Sequence, residues 1–244
     1  MTAAGKIELL LQSKKKQLAV LIDPDKWNSE NAQQQGELYK AAGVDFLLVG
    51  GSLNAASDFN ERVEHLRKSC PLPLVLFPGH PLQLTKHVDA TLFLSLISGR
   101  NAEFLIGHQV VSAPYLHEWK QEVIPTGYML VNGGNTTTAI YISQTVPLPN
   151  DKPEVAAATA LAGKYLGLRC FYLDTGSGAD YPVSQELIYA VKKTTQLPVI
   201  VGGGIVNEQQ AHAAWQAGAD VVVMGTAVEQ NPEILFEIQK LNAL

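Results

Sequence analysis

Short apolar runs recur along the chain, and more polar segments separate them. Eight of these runs have the length of a β-strand: Leu18–Asp23, Phe46–Gly51, Leu74–Gly79, Thr91–Leu96, Tyr128–Gly133, Cys170–Gly176, Pro198–Gly204 and Val221–Thr226. Their apolar residues are continuous rather than alternating. This pattern predicts strands that are buried on both faces, as in a parallel sheet.

Helical patterns lie between most of these runs. They begin at capping residues or near proline, several end just before glycine, and they span Ser29–Ala42, Pro153–Leu166, Ser184–Thr195, Asn207–Ala217 and Asn231–Leu244. Eight strands that alternate with helices predict an α/β protein with a (β/α)8 barrel. The segment 79–89 carries only a short helical stretch, so we expect the helix after the third strand to be missing or replaced.

Length and composition narrow the class of protein. A chain of 244 residues fits one barrel domain spanning residues 1–244. The formal net charge of −5 gives no basic surface for a nucleic-acid partner. The two cysteines stand far apart, which is typical of a reducing cytoplasm. No apolar stretch approaches the roughly 18–20 residues of a transmembrane helix, so we expect a cytoplasmic protein.

Glycines cluster where the last three predicted strands end. In a barrel of this kind the chemistry lies at the carboxyl ends of the strands. The clusters are Gly176–Gly178 (with Ser177 between the glycines), Gly202–Gly204 and Gly225–Thr226. Glycine lets the backbone approach a phosphate closely and direct N–H groups at it. Tight turns alone explain one cluster; three consecutive clusters favour a phosphate site.

Polar side chains end the first, second and sixth predicted strands. Asp23 follows the first strand and Ser52 the second, and together they offer the oxygen ligands that Mg²⁺ prefers. Asp25 stands two residues further on, where capping a turn is the better explanation. Asp174 ends the sixth strand, where it would bind substrate hydroxyls or act as a general base.

Several longer motifs resemble those of the geranylgeranylglyceryl phosphate synthase family, the bacterial and archaeal glycerol-1-phosphate prenyltransferases. The matching segments are LIDPDK at 21–26, LLVGGS at 47–52, LFPG at 76–79, IGHQVVSAP at 106–114, TGYMLVNGG at 126–134, YLDTGSGA at 172–179, IVGGGI at 200–205 and MGTAVE at 224–229. They occur in order over nearly the whole chain. LIDPDK and YLDTGSGA are the specific ones, because GGG and GT occur in many phosphate-binding barrels.

The resemblance implies a modified TIM barrel that joins sn-glycerol 1-phosphate to a polyprenyl diphosphate in the presence of Mg²⁺. Carried over, Asp23 and Ser52 hold Mg²⁺ on the diphosphate. Glycerol 1-phosphate is held by residues that end the sixth, seventh and eighth strands: Tyr172, Leu173, Asp174, Thr175, Gly176, Ser177, Gly178, Gly203, Gly204, Gly225 and Thr226. The resemblance also implies a homodimer or a larger assembly of dimers.

Two positions depart from the family pattern. Glutamate is frequent in the family where Asp174 stands, and some bacterial relatives carry lysine where Leu21 stands. The prenyl chain of the donor would need a long apolar groove, since each buried CH₂ contributes about 0.8 kcal/mol. The segment Leu92–Leu105 supplies a candidate wall, with Phe104 as a candidate determinant of chain length; the same residues also fit an ordinary core.

Two other functions fit parts of the pattern. An isomerase or lyase acting on a phosphorylated sugar or amino-acid precursor would use Asp23 and Asp174 as an acid–base pair. It would need neither Mg²⁺ nor a groove. A non-catalytic barrel that binds phospholipid precursors would have no need of Asp23, Ser52 and Asp174 together.

Overall fold

The computed structural model describes residues 5–13, 15–25, 32–51 and 58–242. Within these residues, eight parallel strands pair in chain order and close into a barrel. The strands are β1 Gln17–Ile22, β2 Phe46–Val49, β3 Leu74–Leu76, β4 Ala90–Leu96, β5 Glu122–Leu130, β6 Cys170–Asp174, β7 Val199–Gly202 and β8 Val221–Met224. The predicted barrel is therefore confirmed.

Helices surround the barrel. Those in the described residues are α1 Lys6–Leu11, α2 Ala32–Ala41, α3 Phe59–Ser69, α4 His108–Glu118, α5 Thr138–Ser143, α6 Pro153–Tyr165, α7 Gln185–Thr195, α8 Glu208–Ala217, α9 Thr226–Gln230 and α10 Ile234–Asn242. A three-residue 3₁₀ turn, Pro81–Gln83, stands between β3 and β4, so the prediction of a replaced helix is confirmed. The predicted helix start at Ser29 lies outside the described residues.

Strand β5 begins earlier than the apolar pattern predicts. It starts at Glu122, which pairs with Ala90 of β4, rather than at Tyr128. Pro125 and Gly127 interrupt the apolar run, and this interruption conceals the first half of the strand. The Glu122 carboxylate accepts hydrogen bonds from the backbone amides of Ile7 (3.2 Å) and Glu8 (2.7 Å), and so joins α1 to β5.

The core has two layers because successive strand residues point to opposite faces. One layer fills the barrel, where Phe46, Leu48 and Tyr172 pack together. The other layer lies between the strands and the helices and contains Leu47 and Leu173. Burial inside the barrel raises the pKa of Cys170 to about 12, so this thiol is protonated at neutral pH and is not a nucleophile.

None of the helices in the described ranges is long and apolar enough to cross a bilayer.

Candidate active site

A large polar cavity opens at the carboxyl ends of the strands. Its volume is about 1880 Å³, counting the space open to solvent. The structure brings ten of the predicted site residues together on its wall: Asp23, Tyr172, Asp174, Gly176, Ser177, Gly178, Gly203, Gly204, Gly225 and Thr226. Residues that lie far apart in the sequence thus meet at one barrel mouth, as expected for strand ends of a (β/α)8 barrel.

At the end of β6, two of the predicted site residues have side chains that point away from the cavity. Leu173 is fully buried in the layer between barrel and helices, and Thr175 is also fully buried. Neither side chain lines the cavity. The reason is the period of two along a strand, which sends Tyr172 and Asp174 to one face and their neighbours to the other. Only the backbone of Leu173 and Thr175 is left to contact a ligand.

The Asp174 carboxylate is held at both oxygens. Oδ1 accepts the backbone N–H of Gly176 at 2.7 Å, and Oδ2 accepts the hydroxyl of Tyr128 at 2.7 Å. The residue is only 7% exposed. Burial raises the pKa of Asp174 above its ordinary value, and the hydrogen bonds from Tyr128 and Gly176 offset part of that rise. A raised pKa suits a group that exchanges a proton with substrate.

The loop after β7 packs so closely against the loop after β6 that Gly203 leaves no room for a side chain. Gly203 has a φ of +79°, and a Cβ there would lie 2.5 Å from Thr175 Oγ1 and 2.6 Å from the backbone nitrogen of Gly176. The loops after β6 and β8 also meet, since the hydroxyls of Ser177 and Thr226 are 3.1 Å apart. The result is a cup of backbone and hydroxyl groups with the chemistry of a phosphate site.

The loop after β1, the strand that pairs with β8, places the carboxylate of Asp23 on the cavity wall. Oδ1 of Asp23 accepts the backbone N–H of Asp25 at 3.1 Å. Arg62 of α3 donates to the carbonyls of Pro24 (3.3 Å) and Asp25 (3.4 Å). Its guanidinium also pairs with Asp58 at 2.9 Å. Arg62 therefore fixes the backbone that carries Asp23.

The donor set of this loop fits a hard cation. Oδ1 of Asp25 is buried and has no hydrogen-bond partner among the described residues. Among all the residues that the structure describes, no group of three His, Cys, Asp or Glu side chains could hold a metal ion. A metal here would thus have one or two carboxylate ligands, which is typical of Mg²⁺ bound together with substrate phosphates. Ser52, the other predicted ligand, lies outside the described residues.

A second, apolar cavity extends from the first toward α4. It encloses about 830 Å³, counting its open end. Its wall is formed by β4, the turn after β3, a π-helical stretch at Glu103–Gly107, α4 and α5, and Phe104 is among the lining residues. We call this cavity the groove. Four residues line both cavities and mark where they join: Gly51, Phe77, Tyr128 and Ala139.

Three aromatic rings cluster at this junction. Phe77 stacks on Tyr172 with centroids 4.8 Å apart, and Tyr128 meets both rings edge to face at 5.6 and 5.7 Å. Sequence reasoning missed Phe77 and Tyr128 as site residues. The apolar pattern predicts Tyr128 at the start of its strand, far from the mouth, whereas the register puts it beside Tyr172, two residues before the end of β5.

The chain also resembles known proteins. A model of the PcrB family matches residues 11–242. A protein named geranylgeranylglyceryl phosphate synthase from Spirosoma linguale is 50% identical to this chain over an alignment of 226 positions. A protein of the same name from Thermococcus kodakarensis is 40% identical over an alignment of 248 positions. These alignments cover 93% of this chain and 91% of the first relative, and 100% of this chain and 98% of the second.

A solved structure agrees with the barrel and with the sequence relationship. It is that of (S)-3-O-geranylgeranylglyceryl phosphate synthase from Thermoplasma acidophilum in complex with its substrate sn-glycerol-1-phosphate. The two chains superimpose with a TM-score of 0.90 at 33% identity, over 97% of each. The resemblance inferred from the motifs is confirmed, and the chain belongs to the PcrB family.

Proposed function

We propose that this protein is a prenyltransferase that joins sn-glycerol 1-phosphate to a polyprenyl diphosphate, with geranylgeranyl diphosphate as its donor. The observation that carries the proposal is the junction of two unlike cavities at Tyr128, with the Asp174 carboxylate beside it. One cavity suits a small phosphate ester and the other a hydrocarbon chain. An isomerase or lyase acting on a phosphorylated sugar would have no use for the groove.

Glycerol 1-phosphate would bind in the glycine cup. The loops at Gly176–Gly178 and Gly203–Gly204 supply backbone N–H groups, and Ser177 and Thr226 supply hydroxyls. These groups would let a chain with a net charge of −5 hold phosphate although no lysine ends β6, β7 or β8. The complex of the Thermoplasma acidophilum relative with sn-glycerol-1-phosphate supports the same choice of substrate.

The reaction would take place beside the aromatic cluster. The allylic C–O bond of the donor breaks, and its electron pair leaves with the diphosphate. The oxygen at C3 of glycerol 1-phosphate forms the new C–O bond to the prenyl carbon, and its proton passes to Asp174. The rings of Phe77 and Tyr128 border the reacting carbon, where an aromatic face stabilises positive charge.

Asp23 would hold Mg²⁺ together with Ser52. The half-buried carboxylate of Asp23 would supply an oxygen ligand on the cavity wall, and the unpartnered Oδ1 of Asp25 stands two residues further along the same loop. When bound, the ion would neutralise charge on the leaving diphosphate. Arg62 would keep this loop in place, since it binds the backbone carbonyls of Pro24 and Asp25.

The groove would take the prenyl chain. Phe104 stands on its wall in edge-to-face contact with His108, at 4.8 Å between ring centroids, and His108 meets His80 at 5.0 Å. Together these rings line the groove from the π-helical stretch and α4 to the turn after β3. Phe104 is therefore the residue that we expect to limit the length of the donor.

The protein would act as a homodimer or larger homo-oligomer in the cytoplasm. Large apolar side chains are exposed on and just before α4, among them Ile106 (60%), Val110 (64%) and Tyr115 (52%). An apolar helix face of this kind suits contact with a second copy of the chain. Both cysteines are free and buried, in agreement with a reducing compartment. Light scattering coupled to size exclusion measures the assembly, and a monomer would refute it.

The activity is tested with purified protein, glycerol 1-phosphate, Mg²⁺ and radiolabelled geranylgeranyl diphosphate. We expect label in the lipid extract as a phosphate-bearing prenyl ether, with diphosphate released in equal amount. Omitting Mg²⁺ and adding a chelator should abolish the product. Label that stays in the donor under all conditions would refute the proposal.

A further inference from the structure

Tyr128 connects the two cavities to the buried carboxylate. Its ring lines both cavities, and its hydroxyl donates to Oδ2 of Asp174 at 2.7 Å. The strand register explains the contact, because Tyr128 pairs with Tyr172 and Leu130 pairs with Asp174 on the adjacent strand. The phenol therefore lies diagonally across from Asp174 and reaches its carboxylate from the groove side.

The other oxygen of Asp174 is held by the chain itself. Oδ1 accepts the N–H of Gly176, two residues further along, at 2.7 Å. One such bond leaves the carboxylate free to swing about that oxygen. A second bond from a different strand fixes the carboxylate plane, which is how paired hydrogen bonds orient an acidic group in a site.

We propose that Tyr128 is a positioning residue for Asp174, holding the carboxylate with its remaining lone pairs toward the glycerol hydroxyl at the junction of the two cavities. The proposal rests on the proposed function, because it assigns Asp174 the proton of that hydroxyl. The ring of Tyr128 has a second consequence. The same side chain that orients the base also borders the prenyl chain, so the position of the base is fixed relative to the groove.

Electrostatics around Asp174 give the role a measurable signature. Tyr128 and Tyr172 face the carboxylate from β5 and β6, and Asp23 and Glu229 line the same cavity. Burial raises the pKa of Asp174, while the hydrogen bonds from Tyr128 and Gly176 lower it. Burial also raises the pKa of Tyr128 well above its usual value, so its hydroxyl stays a donor at any working pH. Removing this donor should raise the pKa of Asp174 further.

The test is Tyr128→Phe, which deletes one oxygen and keeps the ring. The control is Tyr165→Phe, the same deletion at a side chain that is 80% exposed on α6. We expect kcat to fall about 10- to 100-fold in Tyr128→Phe, with an almost unchanged KM for glycerol 1-phosphate. The acidic limb of the pH profile should move to higher pH, because Asp174 would be protonated over a wider range.

A merely structural role would lower the melting temperature or kcat and leave the acidic limb in place. That result would overturn the proposal, as would a kcat within twofold of wild type. The control variant should match wild type in rate and pH profile.

A second readout is independent of activity. With ¹³C-labelled aspartate, the Asp174 carboxyl signal is assigned by its loss in Asp174→Asn and titrated in the ligand-free protein. We expect its midpoint at higher pH in Tyr128→Phe than in wild type; an unchanged midpoint would contradict the proposal. If the midpoint shifts but the wild-type protein makes no prenyl ether, the proposed function is refuted and the contact between Tyr128 and Asp174 is not.

Discussion

The ring of Phe77 stacks on the ring of Tyr172, with centroids 4.8 Å apart and planes inclined by 28°. Phe77 comes from the turn after β3 and Tyr172 from β6, three strands further round the barrel. The stack thus spans the barrel top, where the polar cavity meets the groove. In the proposed function this stack would give the reacting carbon an aromatic surface in a site otherwise formed by glycine loops and carboxylates.

Phe77→Leu should lower kcat without weakening glycerol 1-phosphate binding. The substitution keeps an apolar side chain but removes the ring that faces developing positive charge, a contact of about 1–2 kcal/mol. We expect kcat to fall about tenfold, with little change in the KM of glycerol 1-phosphate. Steady-state kinetics with both substrates varied measures the two effects separately. A larger KM at constant kcat would instead indicate a packing role.

Asp174→Asn should abolish most of the activity and stabilise the protein at neutral pH. Losing a general base costs about 10²- to 10⁴-fold in rate. The pKa of Asp174 is raised by burial, so the folded state prefers its neutral form. The contribution of Asp174 to the stability of the folded protein is complete at low pH, below the pKa that Asp174 has in the unfolded chain. It declines as the pH rises through the pKa that Asp174 has in the folded protein.

Thermal melts of wild type and Asp174→Asn over a range of pH test the direction of this change in stability. The variant should melt at a higher temperature near neutrality, and the difference should shrink as the pH falls below the ordinary aspartate range. A variant that is less stable than wild type at neutral pH would show that the carboxylate is favoured by its hydrogen bonds more than it is penalised by burial.

Arg62→Gln should weaken the response to Mg²⁺. The guanidinium binds the carbonyls of Pro24 and Asp25, so its loss frees the loop that carries Asp23. We expect the Mg²⁺ concentration for half-maximal activity to rise about fivefold, in line with a contact of about 1 kcal/mol. The matched control is Arg67→Gln on the same helix, where the arginine pairs with Asp89 at 2.8 Å instead. Equal Mg²⁺ curves for both variants would argue against the role of Arg62.

Phe104→Ala should shift donor preference toward longer chains. The substitution opens space along the groove, and each additional CH₂ buried there contributes about 0.8 kcal/mol. The control is Leu82→Ala, which lies between the groove residues Pro81 and Leu84 but is 85% exposed. Competition between C20 and C30 donors, read by mass spectrometry, measures the shift. An unchanged product ratio would remove Phe104 from the determinants of length.

The sequence predicts the barrel because its strands are continuous apolar runs, and it predicts the polar cavity because those runs end in Asp23, Asp174 and glycine clusters. The sequence pattern fails to predict a helix or strand where the local composition hides it. Helix α3 is too polar to stand out as a buried helix, so the contact from Arg62 to the β1 loop is not foreseen. Pro125 and Gly127 conceal the start of β5, and with it the position of Tyr128.

Other features depend on geometry that the sequence pattern does not contain. The π-helical stretch before α4 has no compositional signature, yet it sets the wall on which Phe104 stands. Leu173 and Thr175 belong to a matching motif, but the period of two turns their side chains away from the cavity. A motif therefore identifies the strand end, and only the register decides which of its residues face the ligand.

The most direct measurement is prenyl transfer from a panel of C15 to C35 diphosphates, with sn-glycerol 1-phosphate and its enantiomer offered in separate reactions and the lipid extract analysed by mass spectrometry. The proposed function predicts a prenylglyceryl phosphate ether, formed best from the C20 donor and from sn-glycerol 1-phosphate, and no product from Asp23→Asn at any donor length. The absence of a prenyl ether with every donor would contradict it.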